Sequence, residues 1–249
     1  MLHSLKTALL DTVFPPRCLA CAQSTDAPHG LCAACWRDTH FIAGTACVKC
    51  GLPLIGEAGT PDPDLEGADL CEGCARHPPA WDRGAAAVLY RGAARKAILA
   101  LKHGDRLDLV KPLAGWMAMA GRDLLAETDA IVPVPLHWRR LLKRRYNQSA
   151  ELARQLGRIA GKPAEVDLLT RQRFTQPQES MDRATRARNQ SGAFAVAPRR
   201  AGGLAGRSLL LIDDVLTSGA TLSACAETLR AAGAARIDIL VLARVAFEE

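Results

Sequence analysis

The chain has 249 residues, 49% of them hydrophobic and 23% charged, with a formal net charge of +6. That is ordinary globular material, long enough for one full domain plus a small one. No apolar run approaches the roughly 20 residues of a membrane helix, so bilayer insertion is excluded, and 4% aromatic residues argue against an extended base-stacking platform for single strands.

The first segment, "MLHSLKTALLDTVF", is interrupted by Lys6 and Asp11 and lacks a small-residue cleavage site. It reads as a short amphipathic helix and not as a signal peptide, which places the protein in the cytoplasm. Eight of the nine cysteines then fall in four pairs of identical spacing: Cys18 and Cys21, Cys32 and Cys35, Cys47 and Cys50, Cys71 and Cys74. A two-residue spacer lets both thiolates of a pair reach one tetrahedral ion at about 2.3 Å, so eight ligands imply two zinc ions in closed, structural sites. Disulfides need an oxidising compartment, and a redox dithiol would occur once beside a thioredoxin-like pattern. Pairing in chain order and an interleaved cross-brace use the same ligands, and spacing leaves both open. With so little apolar periodicity before residue 75, this segment takes its folding energy from metal. We therefore expect a zinc ribbon domain over 1–79 and a second domain over 80–249. Cys225 stands apart as a small buried residue.

From Trp81 onward strands and helices alternate. "GAAAVLY" reads as a strand, "AARKAILALKHG" and "LVKPLAGWMAMAG" as helices, "DAIVPVPL" as a strand, and "NQSAELARQLGRIAG" as a helix with a glycine stop. "AEVDLL" is a strand, and 174–191 is polar and aperiodic. Strands "AFAVAP" and "SLLLIDD", helix "TLSACAETLRAAGA" and strand "RIDILVLARV" complete the chain. Near-continuous apolar strands separated by helices predict an α/β fold with a mostly parallel sheet flanked by helices. Ligands of such sheets bind at the carboxyl ends of strands. The charge is uneven: from His137 to Arg188 thirteen Lys and Arg face five Asp and Glu, a local field suited to phosphate.

In "LLLIDDVLTSGAT" the predicted strand ends at Asp213 and Asp214, the turn covers Thr217 to Ala220, and a helix begins near Thr221. A tight turn feeding a helix N-terminus presents backbone N–H groups and a positive dipole end to an anion. The hydroxyls of Thr217, Ser218 and Thr221 add donors, and Gly219 permits close approach. The carboxylates could accept from sugar hydroxyls or help hold magnesium. A Walker A loop needs a lysine that is missing here, and a dinucleotide fingerprint needs GxGxxG. An ordinary strand-turn-helix with capping aspartates is the plain alternative.

This segment resembles the phosphoribosyl pyrophosphate (PRPP) motif of type I phosphoribosyltransferases. The resemblance implies that Asp213 and Asp214 meet the ribose hydroxyls. It also implies that Val215, Thr217, Ser218, Gly219, Ala220 and Thr221 form the PRPP site, with the turn cradling the 5-phosphate. "VPVPLHWRRLLKRRYNQSAELA" resembles the competence protein F (ComF) family, in which Arg140, Arg144, Tyr146, Asn147 and Gln148 match and Arg145 stands where the family has glycine. Thr175, Gln178, Arg186, Asn189 and Phe194 match further, as does Lys102, and a double zinc ribbon ahead of a phosphoribosyltransferase domain is this family's architecture. The resemblance implies that the loop at about Leu136–Arg140 contacts pyrophosphate. Charge-assisted bonds from Arg139, Arg140 and Arg144 would suit it. Asp213, Asp214 and Arg140 are the candidate catalytic residues, magnesium enters with PRPP, and an unidentified nitrogen nucleophile is the acceptor. The segment 174–191 is the candidate cover. The alternative is a non-catalytic PRPP-binding factor that handles single-stranded DNA through zinc ribbons and a basic surface. The family's association with natural competence adds DNA and the uptake machinery as expected partners.

Overall fold

The computed structural model describes residues 16–25, 28–54, 60–61, 69–103, 106–137, 141–142, 145–173 and 192–246. Among its described residues the cysteine-rich part holds two short helices, α1 (Ala33–Arg37) and α2 (Glu72–Arg76), and a two-residue antiparallel pairing of β1 (Thr60–Pro61) with β2 (Asp69–Leu70). Little else among them is regular, as the segment's poverty in apolar periodicity predicts.

The remainder alternates strand and helix. In chain order come β3 (Gly84–Leu89), α3 (Gly92–His103), α4 (Val110–Ala120), α5 (Arg122–Glu127), β4 (Ala130–Pro133), α6 (Gln148–Ala160), β5 (Leu169–Arg171), β6 (Phe194–Val196), β7 (Ser208–Leu216), α7 (Ala220–Ala231) and β8 (Arg236–Arg244). Four strands form a fully parallel sheet in the order β3-β8-β7-β4. Side chains alternate across it. Leu209, Leu211, Ile237, Ile239 and Val241 face α7, the hairpin β5-β6 and the second half of the cysteine-rich segment, while Leu210, Ile212, Leu240 and Leu242 face α3, α4 and α6. Covering on both faces is why these strands are continuous apolar runs.

Helix ends follow the sequence closely. Asn147 caps α6 by accepting from the Ser149 amide at 3.1 Å, and Gly161 stops it at φ 65°. Three elements differ from expectation. Only Ala164 of "AEVDLL" joins the sheet, as a bridge to Ile131; a turn at 166–168 then lifts the chain away, so β5 pairs antiparallel with β6 instead. Helix α5 follows Gly121, where a Cβ would meet the Leu240 side chain at 2.6 Å, so this glycine serves helix-to-sheet contact and the chain simply re-enters a helix. Strand β7 runs on through the aspartates to Leu216, and α7 starts at Ala220. The N-terminal segment 1–14 and the candidate cover 174–191 lie outside the described residues.

Residues 40–42 lie along the free edge of β3: Phe41 bridges Val88, the Ile42 amide donates to the Ala87 carbonyl at 2.9 Å, and the Leu89 amide donates to the His40 carbonyl at 2.9 Å.

Candidate functional site

The structure groups the cysteines in chain order. The sulfurs of Cys18, Cys21, Cys32 and Cys35 lie within 4.8 Å of one another, and so do those of Cys47, Cys50, Cys71 and Cys74. The Cys21–Cys32 and Cys50–Cys71 sulfur separations are both 3.7 Å. A tetrahedron with zinc–sulfur bonds of about 2.3 Å has edges of about 3.8 Å, so the donor set fits zinc, and the interleaved arrangement is ruled out. Hydrogen bonds among the crowded sulfurs hold the Cys47 pKa down and push those of Cys50 and Cys74 up. Each cluster uses one plan: a knuckle supplies the first pair, and a short helix whose N-cap is Cys32 or Cys71 supplies the second.

At the carboxyl end of the sheet, the motif at 146–149 ties three elements together. The Tyr146 hydroxyl donates to the Leu101 carbonyl, Gln148 Nε2 donates to the Lys102 carbonyl at 3.3 Å, and Asn147 Nδ2 donates to the Val134 carbonyl at 3.0 Å. Ser149 Oγ donates to Asp213 Oδ1 at 3.0 Å, and the same oxygen accepts from the Asp214 amide at 2.9 Å. Lys102 Nζ sits 3.0 Å from Asp214 Oδ1. The aspartates are thus held differently. Burial, reinforced by the charge on Asp214, raises the Asp213 carboxyl to about 7, whereas Asp214 has a cation beside it.

The turn after β7 is fixed from behind. Arg244 Nη1 donates to the carbonyls of Leu216 at 3.1 Å and Thr217 at 2.9 Å. Gly219, at φ 80°, is the N-cap of α7, and no side chain caps it. The first amides of α7 have no helical acceptor by geometry. The Ser218 hydroxyl is buried with no hydrogen-bond partner among the described residues, which is the condition expected of a donor awaiting a ligand.

Asp213, Asp214, Val215, Thr217, Ser218, Gly219, Ala220 and Thr221 run from the carboxyl end of β7 into the start of α7. Ser149, Lys102 and Arg244 join them. Ser149 could have been found one residue past the Tyr146–Gln148 match, while Arg244 gives no local signal. Arg139, Arg140 and Arg144 lie outside the described residues. Arg145, where the resemblance expects glycine, adopts φ 66° and its amide donates to the Leu141 carbonyl at 2.7 Å. The position demands a left-handed residue, which accounts for the glycine of the family pattern.

The comparisons with known proteins agree with this architecture. The double zinc ribbon domain family matches residues 9–75, and the phosphoribosyl transferase domain family matches 147–247. The DNA utilization protein YhgH of Escherichia coli K12 is 30% identical over 236 residues, 92% of this chain and 97% of that protein. Competence protein F of Haemophilus influenzae is 28% identical over 235 residues, 92% and 96% of the two chains.

The chain belongs to this family.

Its fold is the phosphoribosyltransferase fold preceded by a double zinc ribbon with structural zinc. Among solved structures, the allosteric regulatory enzyme of purine biosynthesis aligns with a TM-score of 0.39 at 17% identity, over 58% of this chain and 30% of that longer one. No helix among the described residues is long and apolar enough to cross a membrane.

Proposed function

We propose that the turn between β7 and α7 binds PRPP as its magnesium complex, and that the chain transfers or hydrolyses the phosphoribosyl group in work tied to DNA utilization. One observation carries this reading: a buried Ser218 hydroxyl with no partner among the described residues lies at the N-terminus of α7, directly after two carboxylates. That set offers donors to a 5-phosphate and acceptors to a ribose diol. Residues 80–249 would form the transferase unit and 1–79 the ribbon unit.

In this reading Asp213 and Asp214 accept from the ribose hydroxyls, and the turn from Thr217 to Thr221 holds the 5-phosphate. Arg139, Arg140 and Arg144 meet pyrophosphate, with Arg140 neutralising charge as the glycosidic bond breaks. Magnesium, arriving with the substrate, supplies charge neutralisation on pyrophosphate. Ser149 and Lys102 orient the acid pair. A nitrogen nucleophile or water then takes the ribosyl group. The basic stretch from His137 to Arg188 favours a second reading, a non-catalytic PRPP-binding factor for single-stranded DNA.

Calorimetry tests the first. Replacing both acids, Asp213→Asn with Asp214→Asn, weakens PRPP at least tenfold, about 1.4 kcal/mol; equal affinity removes the site assignment. Pyrophosphate release across candidate nitrogen acceptors separates transferase from binder.

A further inference from the structure

The ligand-facing turn and the second zinc cluster meet through one side chain. Trp81 is 4% exposed. Its indole N–H donates to the carbonyl of Lys49 at 2.6 Å, and Lys49 lies between the zinc-binding Cys47 and Cys50. The far end of its ring closes on Gly219: a Cβ there would stand 2.7 Å from Trp81 Cη2 and 3.4 Å from Cζ3.

Neither end of this bridge can drift. On the cluster side, the Gly84 amide donates to the Val48 carbonyl at 2.7 Å, and a Cβ on Gly84 would stand 2.3 Å from the Lys49 carbonyl. A Cβ on Gly51 would stand 2.5 Å from the Ala86 nitrogen, so the knuckle is pressed onto β3. On the helix side, Asp82 pairs with Arg230 of α7 at 2.9 Å and accepts from the Ile237 amide at 2.7 Å. Trp81 is therefore a wedge set between the second cysteine knuckle and Gly219 of the ligand turn, in a segment anchored on both sides.

We propose that Trp81 is a positioning residue for the turn at Thr217–Thr221, seated by the second zinc knuckle, so that ligand binding at the turn requires an intact Cys47, Cys50, Cys71 and Cys74 cluster. The phosphate ligand it names rests on the function proposed above; the mechanical link to the turn does not. The indole ring fills the space behind Gly219 and keeps the first amides of α7 aimed at one point. Loss of zinc from the second cluster frees Lys49, withdraws the acceptor of the indole N–H and lets the turn relax. Among the described residues the first cluster has no such link to the turn: it packs through Leu19 and Ala93 on the face of the sheet that carries α3.

Hydrogen exchange on the zinc-loaded full chain tests this without any ligand. Trp81→Phe loses both the N–H and the outer ring, and amides 217–222 should exchange at least tenfold faster while Leu211 and Ile239 in the sheet keep their protection. Cys74→Ser should accelerate the same amides, with the sheet amides reporting whether the whole fold was lost. Cys21→Ser, in the first cluster, should leave them unchanged. Unchanged exchange of 217–222 in Trp81→Phe overturns the proposal, as does equal acceleration by Cys21→Ser.

A second measurement uses PRPP affinity. Gly219→Ala places its methyl against the indole and should weaken PRPP at least tenfold. Adding Trp81→Phe removes the atoms it strikes, so the double variant should bind no worse than Gly219→Ala alone. Losses that multiply would overturn the wedge. Should the exchange respond while wild-type chain binds no PRPP, the coupling stands and the PRPP reading falls.

Discussion

The first cysteine cluster leaves Cys21 exposed and reaches the main core through flanking side chains such as Leu19 and Ala93, whereas the second sets Cys47, Cys50 and Cys71 themselves in one core with Val132, Leu211 and Ile239. Their local plans are the same. Each knuckle turns through a left-handed corner one residue past its second cysteine, Ala22 at φ 60° and Gly51 at φ 69°. The corner of the first faces open solvent, so alanine survives there at a cost in backbone energy. The corner of the second abuts the Ala86 backbone, so only glycine fits. The first zinc module leans on the core through flanking residues, and the second puts its own sulfurs inside it.

The largest test of that contrast is ligand removal. Cys47→Ser should cost about 3–5 kcal/mol and unfold the sheet with the ribbon, because metal binding there is folding energy for a shared core. Cys21→Ser should cost less and melt the first ribbon alone; equal losses in urea titrations would break the comparison. Next, Gly51→Ala combines a left-handed alanine with a backbone clash and should cost about 2–4 kcal/mol.

The two aspartates have different partners, Ser149 for Asp213 and Lys102 for Asp214, and the first of them sharpens the contrast through pH. The Asp213 carboxyl sits at about 7 in the fold against about 4 in an unfolded chain. The unfolded state therefore loses its proton first, and this residue costs stability as pH rises from 4 to 7. Asp213→Asn should raise the melting temperature of the ligand-free protein at pH 8 and much less at pH 4.5. A gain on the order of 1–3 kcal/mol is expected, and a gain independent of pH counts against the burial argument. If Asp213 must be ionised to accept from a diol, PRPP affinity rises across pH 6–8, which calorimetry reads directly.

The smallest effect concerns the exposed left-handed corner at Ala22. Ala22→Gly should stabilise by about 0.5–1 kcal/mol in urea unfolding, since glycine carries no Cβ penalty at positive φ. A loss there would mean that the backbone-strain argument fails.

Much of this was legible beforehand because the signals are local. Cysteine spacing gave the ligands, apolar runs gave β3, β4, β7 and β8, and the Asn147 and Gly161 caps bounded α6. Cluster pairing was not legible, since identical spacers satisfy either arrangement until the chain is folded. The hairpin β5-β6 was missed because the turn at 166–168 carries no glycine to mark it. Arg244 and Trp81 were missed for a different reason. Their partners are the carbonyls of Leu216, Thr217 and Lys49, and a carbonyl leaves no trace in residue identity.

Residues 40–42 have a consequence for the solubility of the parts. A parallel sheet ending at β3 would present a row of bare amides and carbonyls, a template on which a second copy could add a strand. The stretch between the two clusters occupies that row. A chain beginning at residue 80 would lose this guard together with the wedge behind the turn, and its expected fate is edge-to-edge assembly.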